Sequence, residues 1–138
     1  MAVGASQDST GTFKGAVYIV FLTTNAECKG VSKITVDNSD DEYLGTSVAN
    51  LQDIDGDSVT DIAVGAPGAD ARFGAVYILF LKTDGTVKSS QVISQTSGGL
   101  QGPLPELAAL GYSVAGAGDL DGDGTNDLVA GTPGFVLV

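Results

Sequence analysis

Four carboxylates, Asp119, Asp121, Asp123 and Asp127, stand within nine residues, interleaved with Gly122 and Gly124 and followed by the apolar run Leu128, Val129 and Ala130. An earlier copy carries Asp53, Asp55, Asp57 and Asp61, followed by Ile62, Ala63 and Val64. Acids this close repel one another and gain little unless a cation neutralises them. Hard oxygen donors on a short, glycine-bent loop suit Ca²⁺, which takes about six to eight oxygens in flexible geometry; Mg²⁺ prefers fewer protein ligands and a rigid octahedron. An EF-hand would need a bidentate glutamate at the twelfth loop position and a helix behind it. Those positions are Val64 and Ala130, and β-branched strand sequence follows instead, so that motif is rejected. The residues point to repeated calcium-stabilised units.

The elements that would hold these loops recur with them. Gly15 to Leu22 is a continuous run of valine, isoleucine and aromatics with no helix cap before it, and Gly74 to Leu81 repeats it about 60 residues on. Both read as buried strands. Val31 to Val36 alternates with polar residues as a more exposed strand, after a turn over Thr23 to Gly30 that contains Cys28. Tyr43 to Ala49 reads as a short strand entering the first aspartate loop, Ile62 to Gly65 as the strand leaving it, and Ala66-Pro67-Gly68 as a turn. Thr83-Asp84-Gly85-Thr86 signals a hairpin returning through Val87 to Ile93. Leu110 to Ala115 and Leu128 to Gly134 repeat the strands on either side of the loop. The acidic stretch Asp37 to Glu42 reads as a solvated loop. Ser94 to Ala109, with Pro103 and Pro105, reads as a loop excursion in preference to a helical turn over Glu106 to Leu110.

A period near 60 residues with four short strands per unit points to an all-β fold of β-propeller blades, each of four antiparallel strands. The chain holds about ten strands, roughly two and a half blades: a partial blade over 1–36, a complete blade over 37–95 with the first loop, and a partial blade over 96–138 with the second. Propellers close with about four blades or more, so one copy cannot complete a ring alone. Three readings stay open: a portion of a longer protein, self-association through open blade edges, or another calcium-bound β arrangement.

Composition excludes some functions. The chain has 17 acidic against six basic residues, a formal net charge of −11, and no basic cluster for nucleic acid. Cys28 is the single cysteine and histidine is absent, so no internal disulfide and no Cys–His catalysis can form. No charged and then apolar leader opens the chain, and no apolar run reaches membrane-spanning length. Gly4, Gly65 and Gly131 read as strand-end turn residues. Tyr18, Tyr77, Phe21 and Phe80, at matching repeat positions, read as sheet-to-sheet packing.

Taken as an ordered set, these residues resemble the FG-GAP repeats of integrin alpha-subunit β-propellers and, more closely, of bacterial FG-GAP repeat proteins. The resemblance is carried by Leu44-Gly45-Thr46-Ser47-Val48-Ala49 and Leu110-Gly111-Tyr112-Ser113-Val114-Ala115, the two aspartate loops, Gly65-Ala66-Pro67 and Gly131-Thr132-Pro133. It implies calcium in a hairpin loop between the first and second strands of a blade. Leu44 and Leu110 replace the family's phenylalanine, a swap that should preserve burial. Ser58 replaces the usual glycine of the first loop and should strain that turn. The expected ligands are Asp53, Asp55, Asp57 and Asp61 with the main-chain oxygen of Val59, and Asp119, Asp121, Asp123 and Asp127 with that of Thr125.

The function expected is a non-catalytic, extracellular or cell-surface module serving structure or protein or glycan interaction, with its targeting signal outside this chain. The rival is part of a larger propeller-containing hydrolase or lyase whose active site lies elsewhere. Spacing alone leaves a glycosidase carboxylate pair open, but the clustered acids are assigned to metal.

Overall fold

A computed structural model describes residues 1–8, 14–36 and 43–133. The acidic stretch Asp37 to Glu42 and the segment Phe135 to Val138 lie outside the described residues. The described part is all-β, with nine strands in three antiparallel sheets. The first sheet is β1 (Ala2–Ala5), β2 (Ala16–Leu22) and β3 (Cys28–Ile34) in that order. The second is β4 (Ser47–Gln52), β5 (Asp61–Ala66), β6 (Ala75–Leu81) and β7 (Val87–Ser94). The third pairs β8 (Ser113–Gly118) with β9 (Asp127–Gly131). Every strand pairs with its sequence neighbour, the meander of a propeller blade.

Why β5 and β6 are unbroken apolar runs follows from what covers them. Side chains alternate across a strand, and here both faces are buried. Ile62, Val64, Ala66, Ala75, Tyr77, Leu79 and Leu81 pack toward the first sheet with Val17, Ile19, Ile34 and Leu44. Ala63, Val76 and Ile78 pack on the opposite face with Leu51 and Leu110. Each large side chain so enclosed contributes about 1.5–3 kcal/mol relative to exposure. By contrast β3 and β7, which end their sheets, lie largely open to solvent and are fully buried only at their last residues, Ile34 and Ser94.

Leu44 and Leu110 are buried as expected, but by an interaction between sheets rather than within a strand. Leu44 forms an isolated parallel bridge with Gly15, and Leu110 forms the same bridge with Gly74. The first strands therefore start later than the sequence indicates, at Ser47 and Ser113. Tyr43 and Gly45 have φ of 53° and 87°, outside strand geometry, and the Thr46 N–H closes a turn on the Tyr43 carbonyl. At the other hairpin, β3 starts earlier, with Cys28 already paired to Leu22. Glu106 to Leu110 is not helical; Leu107 and Ala109 have φ of 60° and 53°. One 3₁₀ turn, Asp70–Arg72, lies between β5 and β6.

The reading of Gly4, Gly65 and Gly131 as turn residues is corrected. They do stand at strand ends, but as paired strand residues: Gly4 and Gly65 are next to last in β1 and β5, and Gly131 is the last residue of β9. A Cβ on Gly4 would lie 2.0 Å from the Gly45 carbonyl oxygen, and one on Gly65 would lie 1.8 Å from that of Gly111. Bare backbone is what lets one sheet touch the next. The Ser47 hydroxyl reinforces the second contact by donating to the Gly111 carbonyl at 2.8 Å.

Gly65→Ala should therefore destabilise the chain by about 3 kcal/mol or more, the upper range for overpacking. Gly99→Ala, where a Cβ meets nothing within 4 Å and only the φ of 74° is unfavourable, should cost about 1 kcal/mol. Urea denaturation of the two variants checks the contrast; equal losses would refute the steric account.

Candidate metal centres

The two aspartate loops join β4 to β5 and β8 to β9, and a shared set of amide-to-carboxylate hydrogen bonds recurs in both. Asp53 and Asp119 occupy the centre of each loop. The N–H groups of Gly56 and Asp57 donate to Asp53 Oδ1 at 2.7 and 3.0 Å, and Ser58 N–H donates to Oδ2 at 2.7 Å. In the second loop, Gly122 and Asp123 donate to Asp119 Oδ1 at 2.8 and 3.1 Å, and Gly124 to Oδ2 at 3.0 Å. The closing acids repeat as well: Ile54 N–H donates to Asp61 Oδ2 at 3.1 Å, and Leu120 N–H to Asp127 Oδ2 at 2.6 Å. The loop backbone is thus wound around its own carboxylates.

That winding gathers three acids in each loop. Oxygens of Asp53, Asp55 and Asp61 lie within 4.8 Å of one another, as do those of Asp119, Asp121 and Asp127. The donors are all carboxylate oxygen, which fits a hard cation such as Ca²⁺. Asp57 and Asp123 stand outside these triads. Asp57 Oδ1 accepts the Val59 N–H at 2.9 Å and Asp123 Oδ1 accepts the Thr125 N–H at 2.7 Å. Val59 and Thr125, expected as main-chain oxygen ligands, are thereby tied into the loops through their amides.

The loops differ in three of their contacts with neighbouring strands. Asp61 is fully buried, and its second oxygen accepts the Leu81 N–H at 3.0 Å, tying the first loop to β6. The second loop is braced from outside by Asn126, whose side-chain amide donates to the Leu51 carbonyl of β4 at 2.8 Å. Third, Lys88 of β7 reaches the first loop, with its ammonium 2.7 Å from Asp55 and 2.6 Å from Asp57. Asp55, then Asp57, holds the lysine above its ordinary pKa, and Lys88, with the Val59 amide, holds the Asp57 carboxyl below the usual range. Sequence reasoning missed Lys88. Its signals are faint: a cation on a Ser- and Gln-rich strand 31 residues from Asp57, and Lys29 at the matching place in the preceding repeat.

The strain expected at Ser58 is present. Ser58 has φ of 67°, the conformation that Gly124 takes in the second loop with φ of 91°. A second such pair was not anticipated: Gln52, at a bulge before the first loop, has φ of 61° where Gly118 has 73°. Left-handed backbone costs a residue with a Cβ about 1–2 kcal/mol. Both sites of strain fall in the first copy, one at the end of β4 and one within its loop.

Away from the loops, the aromatic readings divide. Tyr77 is buried between sheets, and Phe21 and Phe80 pack against the two clusters. Tyr18 instead donates its hydroxyl to Asp8 and lies under the Lys33 ammonium at 5.5 Å. Cys28 is exposed with a free thiol.

Comparison with known proteins matches the family described as FG-GAP repeat over residues 44–79 and 110–136. The chain is 34% identical to integrin alpha-6 of Gallus gallus over 135 residues, covering 96% of this chain and 12% of that protein. It is 42% identical to integrin alpha-5 of Xenopus laevis over 98 residues, 68% of this chain and 9% of that one. Against human integrin alpha-7 it is 38% identical over 119 residues, 86% and 9%. The chain thus spans roughly a tenth of the length of these relatives. These matches do not single out bacterial members, so the closer bacterial affinity expected from sequence is replaced by the broader family.

Replacing both strained residues, Gln52→Gly with Ser58→Gly, should raise stability by about 1–2 kcal/mol, after the flexibility that glycine adds to the unfolded chain. The same replacement should tighten metal uptake by the first loop. Thermal unfolding and Ca²⁺ titration check both; a loss of stability would show the left-handed turns to be unstrained.

Proposed function

The chain belongs to the FG-GAP repeat family of integrin alpha-like propellers, and from that premise we propose how its units divide, which atoms hold metal and what the module is for. The family is a structural, non-catalytic repeat, and this chain carries two aspartate clusters able to coordinate a metal ion. In our reading the units are 1–36, 37–95 and 96–138, supported by sheets of three, four and two strands.

Ca²⁺ is held in the first loop by Asp53, Asp55, Asp57 and Asp61 with the main-chain oxygen of Val59. In the second it is held by Asp119, Asp121, Asp123 and Asp127 with that of Thr125. The observation that carries this reading is the repetition of one hydrogen-bond pattern that converges three carboxylates twice. Bound metal neutralises charges that would otherwise repel across a tight hairpin and so keeps neighbouring strands paired. Its role is structural.

The module serves as a scaffold for protein or glycan contact in an extracellular or cell-surface setting. The integrin relatives support that setting, and millimolar calcium outside cells would fill even weak sites. No helix among the described residues is long and apolar enough to cross a membrane. Self-association is supported by unclosed sheets and by apolar groups left in solvent on the third sheet and its loop, Val129 at 55% and Leu120 at 71% exposure.

Chelation should lower the melting temperature: one site saturated at about 100 times its Kd contributes about 2.7 kcal/mol. Asp53→Asn with Asp119→Asn should abolish that dependence. A melting curve unchanged by verified calcium removal would refute the structural role. Solution mass, measured with and without calcium, should reveal an oligomer; a stable monomer in both conditions would refute self-association.

A further inference from the structure

Lys88 is the one basic side chain that the fold carries into either aspartate loop among the described residues. It stands on β7, the strand farthest from the first loop in the order of its sheet. Even so, its ammonium lies 2.7 Å from Asp55 Oδ2 and 2.6 Å from Asp57 Oδ2. Asp55 belongs to the converging triad of that loop, and Asp57 is the remaining acid beside it. No ion pair among the described residues reaches Asp119, Asp121, Asp123 or Asp127. Beyond the left-handed Ser58 and the buried Asp61, two loops with the same acids therefore differ in one tethered positive charge.

We propose that Lys88 is a tethered counter-cation of the first aspartate loop, occupying carboxylates that a divalent cation would otherwise neutralise, so that the first loop binds divalent cation more weakly than the second. The inference rests on the reading of both loops as metal sites.

The chemistry is competition for the same negative charge. With Lys88 in place, Asp55 and Asp57 are already partly neutralised, so an arriving cation gains less there than at the second loop. The ammonium also repels the cation directly. A single charge against a double charge several ångströms apart, even at the dielectric of water, weakens binding by about tenfold. The same contact has an opposite consequence without metal. The first loop keeps an internal positive charge against its acids, whereas the second has only its own amides and the brace from Asn126. The first loop should persist without metal, and the second should depend on it.

Lysine's form suits this role. Its ammonium is a point charge on a flexible stem, with 41% of the side chain exposed, so it can swing away when a metal arrives. A rigid or buried cation would block the site outright.

The test is a Ca²⁺ titration of the full chain followed by amide NMR, with Gly56 reporting the first loop and Gly122 the second. In the native chain, Gly122 should titrate at lower Ca²⁺ than Gly56. Lys88→Met should move the Gly56 midpoint about tenfold lower and leave Gly122 within about twofold. Lys88→Arg, which keeps the charge, should leave both midpoints near native values. Lys88→Gln serves as a second neutral variant, and the dispersion of the metal-free spectrum verifies folding of each. Titration of both glycines with a Gly56 midpoint unmoved or raised in the neutral variants overturns the role of Lys88 alone. If neither glycine responds in any variant, the metal reading falls and takes this inference with it.

Discussion

Contact between bare backbones of consecutive sheets is the constraint from which the rest of the structure follows. Gly4 lies against the Gly45 carbonyl and Gly65 against that of Gly111, at distances no side chain could share. Only when the sheets approach this closely can Leu44 and Leu110 sink between them and bridge to Gly15 and Gly74. That seat fixes where β4 and β8 begin and in which direction they run. Each strand then leads into an aspartate loop at its far end. Identical seats produce identical frames, which is why two loops of different sequence share one hydrogen-bond pattern.

Much of this was legible in the residues because the repeat supplies its own comparison. Gly15 to Leu22 and Gly74 to Leu81 identify β2 and β6, since a run buried on both faces needs no polar alternation. The aspartate loops announced themselves through like charges that only a cation or backbone amides could tolerate. What stayed hidden depends on contacts between sheets. Gly65 looks like punctuation in a linear reading, and only the carbonyl of Gly111 opposite shows that the missing Cβ matters. Leu44 belongs to no strand because its partner is Gly15, the residue just ahead of β2. Lys88 was illegible for a related reason: the hairpin of β6 and β7 determines what it reaches, and its counterpart Lys29, at the same register after β2, marks a shared position without showing what it touches.

Comparison of the loops separates what the motif requires from what each copy adds. The central aspartate and its three amide donors are common to both, so they belong to the winding itself. The left-handed positions are common too, filled by Gly118 and Gly124 in one copy and by Gln52 and Ser58 in the other. The backbone demands the conformation whether or not glycine is present. A turn retained against local preference must be held by something else. In the first loop, candidates are at hand in Lys88 and in the buried carboxylate of Asp61.

Asp61 shows how a loop charge becomes part of the sheet. A fully buried carboxylate is costly unless its oxygens are hydrogen-bonded, and here Ile54 N–H takes one oxygen and Leu81 N–H the other. The first bond closes the loop and the second anchors it to the end of β6, beside a bulge where the β6–β7 register shifts. Its triad partners Asp53 and Asp55 remain exposed. Repulsion within the triad is therefore relieved by movement at the exposed side, because displacing Asp61 would strip two buried amides of their acceptor. Loss of both metal and the Lys88 charge should open the loop from Asp53 and Asp55 outward while the β5–β6 pairing stays intact. Charge is sensed at the rim of the blade, and its strands are insulated by the one acid they have enclosed.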